Sequence, residues 1–288
     1  MDKLLTVLQM LLPHHLLSRS MEWLTRRRWP LFKDLFIRAF IRLYGVDMNQ
    51  ARYSDPKYYR SFNEFFTREL APGARPVSNT PGTVVCPVDG TVSQSGEIVA
   101  DQIFQAKGID YSLAKLLGGA GHIIEHFRDG RFATIYLSPR DYHRIHMPVT
   151  GTLRESIYIP GRLFSVNRRT THNLPGLFAR NERLVTLFDT EFGPMALILV
   201  GALFVSGIET VWDGKITRHT SSQHRHFDKV PAIVLNQGEE MGRFNMGSTV
   251  ILLFNDSITL GDNIIADTPV NMGQPIARRH NADEALAL

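Results

Sequence analysis

The chain has 288 residues, of which 43% are hydrophobic and 21% charged, and this composition is typical of a globular protein with a large core. A single cysteine, Cys86, excludes an internal disulfide and fits a reducing compartment. The formal net charge of +4 is small, so it indicates an anionic partner only where the basic residues cluster.

The basic residues cluster near the N-terminus. Residues 4–12 are mostly apolar, but they are far fewer than the ~20 apolar residues that a membrane-spanning helix needs. No small-residue cleavage site follows them, so we do not predict a signal peptide. Further along, Trp23 and Trp29 flank three consecutive arginines at residues 26–28. This segment is the basic cluster that an anionic surface would attract.

An apolar repeat with helical spacing follows the three arginines. Its members are Leu31, Phe32, Leu35, Phe36, Ala39, Phe40 and Leu43. Lys33, Arg38 and Arg42 fall between them, and Ile37 and Ile41 interrupt the polar face. A basic amphipathic helix with aromatic residues suits an anchor at a membrane interface, and it equally suits a helical hairpin packed on the protein's own core. Both interpretations stay open at this point.

The pattern changes from helical to strand-like near residue 70. Residues 1–70 are predicted to be helical and end in SFNEFFTREL, where Ser61 and Glu64 form a capping box. The proline- and glycine-rich residues 71–82 mark a boundary. Beyond it, short β-branched runs bounded by turn residues predict strands, namely GTVVCPVDGTVSQSGEIV, RFATIYLSP, GTLRESIYI, RLVTLFDT, ALILVGALFV and TVILLF. One short helix is predicted within residues 110–119. We therefore predict an α+β fold, with a helical N-terminal region packed on a β-rich, antiparallel or mixed core at residues 71–288.

Three separate segments supply side chains for nucleophilic chemistry. Ser248 lies in GST directly before an apolar run, although Gly-Ser is also an ordinary turn pair. His143 and His146 lie in YLSPRDYHRIHMPVTG, where they could equally be solvated loop residues. Asp89 lies in PVDG, and Asp-Gly is a common hairpin turn. Catalytic triads form in space rather than in sequence, so these residues are candidates and no more.

A second motif indicates zinc chemistry. HIIEH contains His122, Glu125 and His126 and matches the H-x-x-E-H pattern of one zinc peptidase class. Glycines precede it and Asp129-Gly130 is typical of a hairpin turn into RFATIYL, so a long helix is not expected there and we predict no metal site. A zinc hydrolase and a non-catalytic membrane-surface protein remain as alternatives. The chain has no P-loop and no dinucleotide fingerprint, and we predict no nucleic-acid partner.

Seven segments taken together carry a family resemblance. SFNEFFTREL, PVDGTV, YLSPRDYHRIHMP, LFSVN, LFARNER, ETVW and MGST, in this order, resemble the bacterial, proteobacterial-type phosphatidylserine decarboxylases. The resemblance is strong from about Ser61 to Val250, looser in the N-terminal helices and poor over residues 213–237. Met246 stands where the family usually has leucine, which is a conservative apolar change.

The resemblance implies a pyruvoyl-dependent enzyme that cleaves its own proenzyme between Gly247 and Ser248. The products would be a β chain, residues 1–247, and an α chain, residues 248–288. Asp89 and His146 would form a charge relay that activates Ser248, and the remnant of Ser248 would become the pyruvoyl group. This covalent cofactor would take the place of pyridoxal phosphate, with no metal, by forming a Schiff base with the substrate. His143 is our candidate for the proton donor that follows loss of CO₂.

The same resemblance implies the partners. Phosphatidylserine would be decarboxylated to phosphatidylethanolamine in phospholipid biosynthesis. The α and β chains would form a heterodimer, and a further dimer of these stays open. An anionic lipid surface also accounts for the basic N-terminal helices, so we expect a peripheral protein on the cytoplasmic side of the cell membrane.

Overall fold

A computed structural model describes residues 9, 12–106, 108–203, 207–228, 231–245 and 248–280 of the chain. Residues 4–8, 10 and 11 of the first apolar stretch lie outside this part, and so do Met246 and Gly247. The described residues form helices and antiparallel sheets, which confirms the predicted α+β class.

Seven α-helices occur in the described residues, and the first three precede every strand. They are α1 (His14–Thr25), α2 (Pro30–Tyr44), α3 (Phe62–Phe66), α4 (Leu113–Leu116), α5 (Gly121–Phe127), α6 (Arg168–Asn173) and α7 (Leu177–Arg180). Short 3₁₀ turns at Met48–Gln50 and Pro56–Tyr58 connect α2 to α3. No helix in this part of the chain is both long and apolar enough to cross a bilayer.

The strands begin after the proline- and glycine-rich segment. They are β1 (Thr83–Val85), β2 (Gly90–Glu97), β3 (Gln102–Ala106), β4 (Ile109–Ser112), β5 (Arg131–Leu137), β6 (Arg144–His146), β7 (Gly151–Ile159), β8 (Arg183–Thr190), β9 (Gly193–Val200), β10 (Ile208–Thr210), β11 (Gly214–Lys215), β12 (Gln223–His226), β13 (Val234–Leu235), β14 (Glu240–Phe244), β15 (Ser248–Phe254), β16 (Ile258–Leu260), β17 (Pro269–Val270) and β18 (Pro275–Arg279). Every pairing between these strands is antiparallel, so of the two kinds of sheet that the sequence left open the described strands form the antiparallel one.

One large sheet dominates the core. Its nine strands run in the order β12-β7-β8-β9-β15-β5-β2-β17, with β13 also pairing with β7. β15 lies in the interior of this sheet, hydrogen-bonded to β5 on one side and to β9 on the other. All seven of its residues are buried, because Val250 and Leu252 enter one hydrophobic cluster while Ile251 and Leu253 enter the cluster on the opposite face. A sheet covered on both faces gives the continuous apolar run from which the strand was predicted.

The local signals around the short helices are largely confirmed. The Ser61 Oγ accepts a hydrogen bond from the Glu64 N–H at 3.2 Å, and the Glu64 carboxylate accepts from the backbone of Arg60 rather than of Ser61. In the predicted 110–119 helix, Ser112 caps α4, and Gly118 lies at φ +69°, a left-handed conformation that glycine adopts without a Cβ clash.

The helix α2 differs from its prediction in which side it buries. Its packed side includes Lys33, Ile37 and Phe40, whereas Leu31 and Leu35 are 89% and 72% exposed. The reason is α3, whose aromatic rings attract the aromatic side of α2. The Phe36 and Phe40 rings lie 4.4 and 5.0 Å from the ring of Phe62, measured between centroids. The predicted apolar repeat is therefore divided between a packed side and an exposed side.

Candidate active site

Ser248 is the first residue of β15 and pairs with Leu137 at the end of β5. It is a strand residue, so the turn interpretation does not hold for it. Its side chain is completely buried, and its Oγ has no hydrogen-bond partner among the described residues. A buried hydroxyl without a partner destabilises the folded chain by about 1–3 kcal/mol, and such groups concentrate where function requires them.

His143 lies in the loop between β5 and β6 and is completely buried. Its Nδ1 is 2.8 Å from the carbonyl oxygen of Asp141, and its ring centroid lies 4.1 Å from that of Phe66. Because a carbonyl only accepts, Nδ1 carries the proton. Burial lowers the pKa of His143 to about 3, so the ring is neutral and Nε2 is an unprotonated acceptor, with no partner in the described structure.

His146 is the last residue of β6 and has partners at both ring nitrogens. Nδ1 lies 2.8 Å from the carbonyl oxygen of Gly238, and Nε2 lies 2.9 Å from the hydroxyl of Tyr142. Nδ1 therefore donates to the carbonyl and Nε2 accepts from Tyr142. Burial lowers the pKa of His146, and the bond to Gly238 opposes this only in part. The imidazole is thus held in one orientation with a basic Nε2.

Asp89 forms a buried ion pair directly before β2. Arg75 donates from Nε to Oδ1 at 2.9 Å and from Nη2 to Oδ2 at 2.6 Å, and the Met272 N–H donates to Oδ1 at 2.8 Å. In the structure Asp89 and His146 share no hydrogen bond. They are nevertheless neighbours, since the His146 N–H donates to the Pro87 carbonyl at 2.9 Å and the charge of Asp89 raises the pKa of His146 against the larger effect of burial.

The glycine that follows Asp89 has a packing reason. A Cβ on Gly90 would lie 2.5 Å from the carbonyl oxygen of Tyr136 on β5, which is closer than real Cβ atoms approach. Gly90 pairs with Val270 of β17 on its other side. The Asp-Gly pair therefore marks a close approach of two strands, and not the hairpin turn considered from the sequence.

The helix α3 contacts several parts of this site. The Asn63 side chain donates to that of Asn245 at 2.9 Å, three residues before Ser248, and Phe66 packs on His143. Asn245 also donates to the Glu209 carboxylate at 2.8 Å. Asn245 is therefore held by side-chain hydrogen bonds that the sequence did not indicate.

A cleft of about 240 Å³ opens beside the site. Its lining includes Asp89, Tyr142, Arg68, Arg75 and Arg140. Of these, only Asp89 was predicted as a site residue. Tyr142 could have been found, because it directly precedes His143 in the segment that carries both histidines, whereas Arg68 and Arg75 carry no local signal.

The residues of HIIEH do not converge on a metal site. His122 lies in α5 and contacts the Glu155 carboxylate at 2.8 Å, while Glu125 pairs with Arg128 at 3.2 Å. The described part of the chain contains no group of three or more His, Cys, Asp or Glu residues that could hold a metal ion. Asp129 then forms a turn from α5 into β5, and not the hairpin expected.

A buried serine, two histidines and an ion-paired aspartate are the residue types that a site of the activated-hydroxyl class uses. The comparison with known proteins gives the family. A family model described as phosphatidylserine decarboxylase matches residues 62–278, and a second, described as PSD, matches residues 4–45. The chain belongs to the phosphatidylserine decarboxylase family.

Curated relatives named phosphatidylserine decarboxylase proenzyme match over nearly the whole chain. The protein of Pseudomonas paraeruginosa is 53% identical over 280 residues, which covers 96% of this chain and 97% of the relative. The protein of Nitrosococcus oceani is 52% identical over 281 residues, which covers 96% of this chain and 92% of the relative. That of Alkalilimnicola ehrlichii is 54% identical over 257 residues, covering 88% and 89%.

The buried, neutral His143 leads to a prediction about acid stability. In the unfolded chain His143 takes up a proton below its ordinary pKa of 6.5, whereas the folded residue does so only near pH 3, so falling pH favours the unfolded chain between these values. From pH 7 to pH 5 this group alone should remove about 2 kcal/mol of the unfolding free energy. Urea unfolding at both pH values should show that loss in the wild type and a correspondingly smaller loss in His143→Gln. Equal losses in the two proteins would contradict a neutral, buried His143.

Proposed function

We propose that this chain is a self-processing enzyme that decarboxylates phosphatidylserine to phosphatidylethanolamine and CO₂. The observation that carries the proposal is the buried Ser248 hydroxyl at the start of an interior strand, without a hydrogen-bond partner among the described residues. The name of the relatives, phosphatidylserine decarboxylase proenzyme, supports both the reaction and a processing step.

The cleavage follows from the chemistry of serine. The Ser248 Oγ reaches the carbonyl carbon of Gly247 through a five-membered ring, and the acyl group moves from nitrogen to oxygen to form an ester. Loss of the Ser248 α-proton then breaks the Cβ–O bond, which frees the carboxyl end of residues 1–247 and leaves dehydroalanine. Hydrolysis of dehydroalanine releases ammonia and leaves a pyruvoyl group at position 248.

We assign the base for this attack to His146. Its lowered pKa keeps it unprotonated at neutral pH, and Nε2 carries the lone pair, which must exchange the Tyr142 hydroxyl for that of Ser248. Asp89 would favour the protonated imidazole through its charge, since its hydrogen bonds go to Arg75 and to the backbone of Met272. The carbonyl of Gly238 takes the orienting role that a triad gives to its carboxylate.

The surroundings of Ser248 fit a pyruvoyl group. Ser248 is completely buried and pairs with Leu137 of β5, and its Oγ forms no hydrogen bond within the described structure that cleavage would disrupt. When formed, the group supplies a carbonyl that binds the substrate amine and accepts the electron pair released with CO₂. His143 is proposed to hold the proton for the substrate carbon at Nε2, and protonation there requires the substrate's charge to raise its pKa.

The two product chains would remain one folded unit. β15 begins at the new chain end, pairs along its whole length with β5, and pairs from Thr249 onward with β9, and both of these strands belong to residues 1–247. The later strand β18 also pairs with β1, and β17 pairs with β2. We therefore propose an α–β heterodimer.

Self-cleavage is tested by removing one hydroxyl. Ser248→Ala should remain a single chain on a denaturing gel and have no decarboxylase activity, because no other atom at this position can form the ester. Intact mass of the wild-type α chain should be lower by one ammonia than a chain that begins with serine. Thr249→Val removes a neighbouring buried hydroxyl that also lacks a partner in the described residues, and it should cleave normally. Cleavage of Ser248→Ala would refute the assignment.

The division of roles among the other residues is tested with matched variants. His146→Ala should accumulate uncleaved chain because it removes the base, and Asp89→Asn should do so because it removes the charge that favours the protonated imidazole. His143→Gln should cleave but decarboxylate slowly. His172→Ala, which changes an exposed histidine, is the control for all three. Wild-type cleavage of both His146→Ala and Asp89→Asn would remove them from maturation, and normal turnover of His143→Gln would move the proton to another donor.

A peripheral membrane position is proposed for the N-terminal helices. Their exposed side carries large apolar side chains, namely Leu16, Trp23, Trp29, Leu31, Leu35 and Leu43. The Arg27 guanidinium stacks over the Trp23 ring at 3.9 Å, and Arg28 is exposed beside it. Apolar and aromatic residues interleaved with arginine support contact with an anionic lipid surface, on the cytoplasmic side if phosphatidylserine is presented there. The opposite side of α2 packs on α3, so both interpretations of the sequence contribute.

Liposome flotation tests the membrane position. Changing Arg26, Arg27 and Arg28 to Gln should weaken flotation on anionic liposomes, because each basic residue near such a surface contributes about 1 kcal/mol. The difference should shrink at high salt, and cleavage should be unchanged. A control with the exposed Arg128, Arg154 and Arg168 changed to Gln has the same net charge. Equal flotation of the two triple variants would argue against an arginine-dependent anchor.

A further inference from the structure

Arg68 is a buried cation without a carboxylate partner. Only 5% of the residue is exposed, Nη2 donates to the carbonyl of Arg140 at 3.0 Å, and Nε has no hydrogen-bond partner among the described residues. No ion pair within 4 Å involves it in the part of the chain that the structure describes. Leaving a guanidinium buried with an unsatisfied donor is unfavourable unless something else supplies an anion.

The position of Arg68 places this cation beside the reaction site. It lines the cleft that Asp89 and Tyr142 also line. It follows α3 by two residues, and Phe66 of the same helix packs on His143 at 4.1 Å. Its charge also opposes protonation of His143, which is a sign of proximity between the two groups.

Three carboxylates line the cleft, Asp47, Asp89 and Asp141, and none of them forms an ion pair with Arg68 within 4 Å in the described residues. Asp47 accepts a hydrogen bond from the Asn49 N–H at 3.0 Å. Arg75 is engaged by both oxygens of Asp89. Asp141 accepts from the Ser138 N–H at 2.7 Å, and burial raises its pKa, which disfavours its charged form. Asp89 and Asp141 act on Arg68 only at longer range, and burial outweighs them in lowering its pKa. Arg140 is mostly exposed at the same cleft, 3.8 Å from Asp141.

We propose that Arg68 binds the phosphodiester of the lipid headgroup, with Arg140 as a second cation at the mouth of the cleft. The planar guanidinium has donors matched to phosphate oxygens. This inference rests on the proposed decarboxylation and names the part of the substrate that this side of the site holds. Arg68 is a positioning residue, because it would contact a group that does not react.

The substrate carries two anionic groups, a phosphate and a carboxylate, and the course of the reaction favours the phosphate as the partner of Arg68. The carboxylate loses its charge as CO₂ leaves, so a cation on it would stabilise the ground state more than the transition state and slow the step. The phosphate keeps its charge throughout. A contact with it stabilises ground state and transition state equally, and its loss should therefore raise KM with little change in kcat.

The test compares Arg68→Gln and Arg68→Lys in the full-length protein, with short-chain phosphatidylserine in detergent micelles. Both variants should cleave into two chains. Arg68→Gln should raise KM by about 10- to 100-fold, as expected for a charge-assisted hydrogen bond, with kcat changed little. The KM of Arg68→Lys should lie between those of the wild type and Arg68→Gln, because lysine keeps the charge but lacks the planar fork of donors. Arg128→Gln, at an exposed position, is the control and should leave KM unchanged.

A substrate without phosphate separates this role from a structural one. On an O-alkyl serine of similar chain length, Arg68→Gln and wild type should have the same KM. An equal loss on both substrates, or a lower kcat with unchanged KM, would overturn the proposal. Normal cleavage with unchanged KM would refute only the role of Arg68, whereas an uncleaved wild type would refute the proposed function.

A competition experiment covers the case in which Arg68→Gln fails to mature. Glycerophosphoethanolamine should inhibit the wild type competitively and inhibit Arg68→Lys more weakly, while ethanolamine, which has no phosphate, should inhibit neither. Equal inhibition by the two amines in the wild type would show that the phosphate is not recognised.

Discussion

The interior strand β15 is the constraint on which the rest of the site depends. It is hydrogen-bonded on both sides, and its side chains enter the two hydrophobic clusters alternately, so neither translation nor rotation is available to it. Its first residue, Ser248, is held by pairing with Leu137 of β5, and pairing with β9 begins at the next residue, Thr249. For chemistry that begins with attack on the preceding peptide bond, that rigidity is useful, because a nucleophile with few accessible orientations loses little entropy on reaching its reactive one.

The helix α3 connects the amphipathic helix α2 with the strand β15. Its Phe62 packs against Phe36 and Phe40 of α2, while Phe66 packs on His143. Its Asn63 bonds the side chain of Asn245 just before β15. Five residues of helix therefore touch both the amphipathic helix and the site. A shift of α2 on a membrane would be transmitted through aromatic packing, in which displacements of a fraction of an ångström are resisted.

Sequence reasoning succeeded where one local pattern decided the outcome. β7 and β15 were predicted because β-branched runs between turn residues have few alternatives, and α4 because its glycines stop it. Sequence reasoning did not identify the buried side of α2, because the helix carries two apolar stripes and the aromatic rings of α3 determine which one is buried. The ion pair of Asp89 with Arg75 was not predictable either. Arg75 lies in an irregular proline- and glycine-rich segment whose path is set by tertiary contacts, and a carbonyl such as that of Gly238 carries no sequence signal at all.

Burial is the common cause of the protonation states of the histidines and of the ion pairing of the charged residues in the site. Burial lowers the pKa values of His143 and His146, so both imidazoles are neutral bases at working pH. The same burial makes Arg68 unfavourable without an anion, while Asp89 is stabilised only because Arg75 and a backbone N–H satisfy it. The proposed site combines two neutral bases, His143 and His146, with the buried cation Arg68. A fixed cation close to the histidines further disfavours their protonation, so the charge that would attract an anionic headgroup also keeps the bases ready to accept a proton.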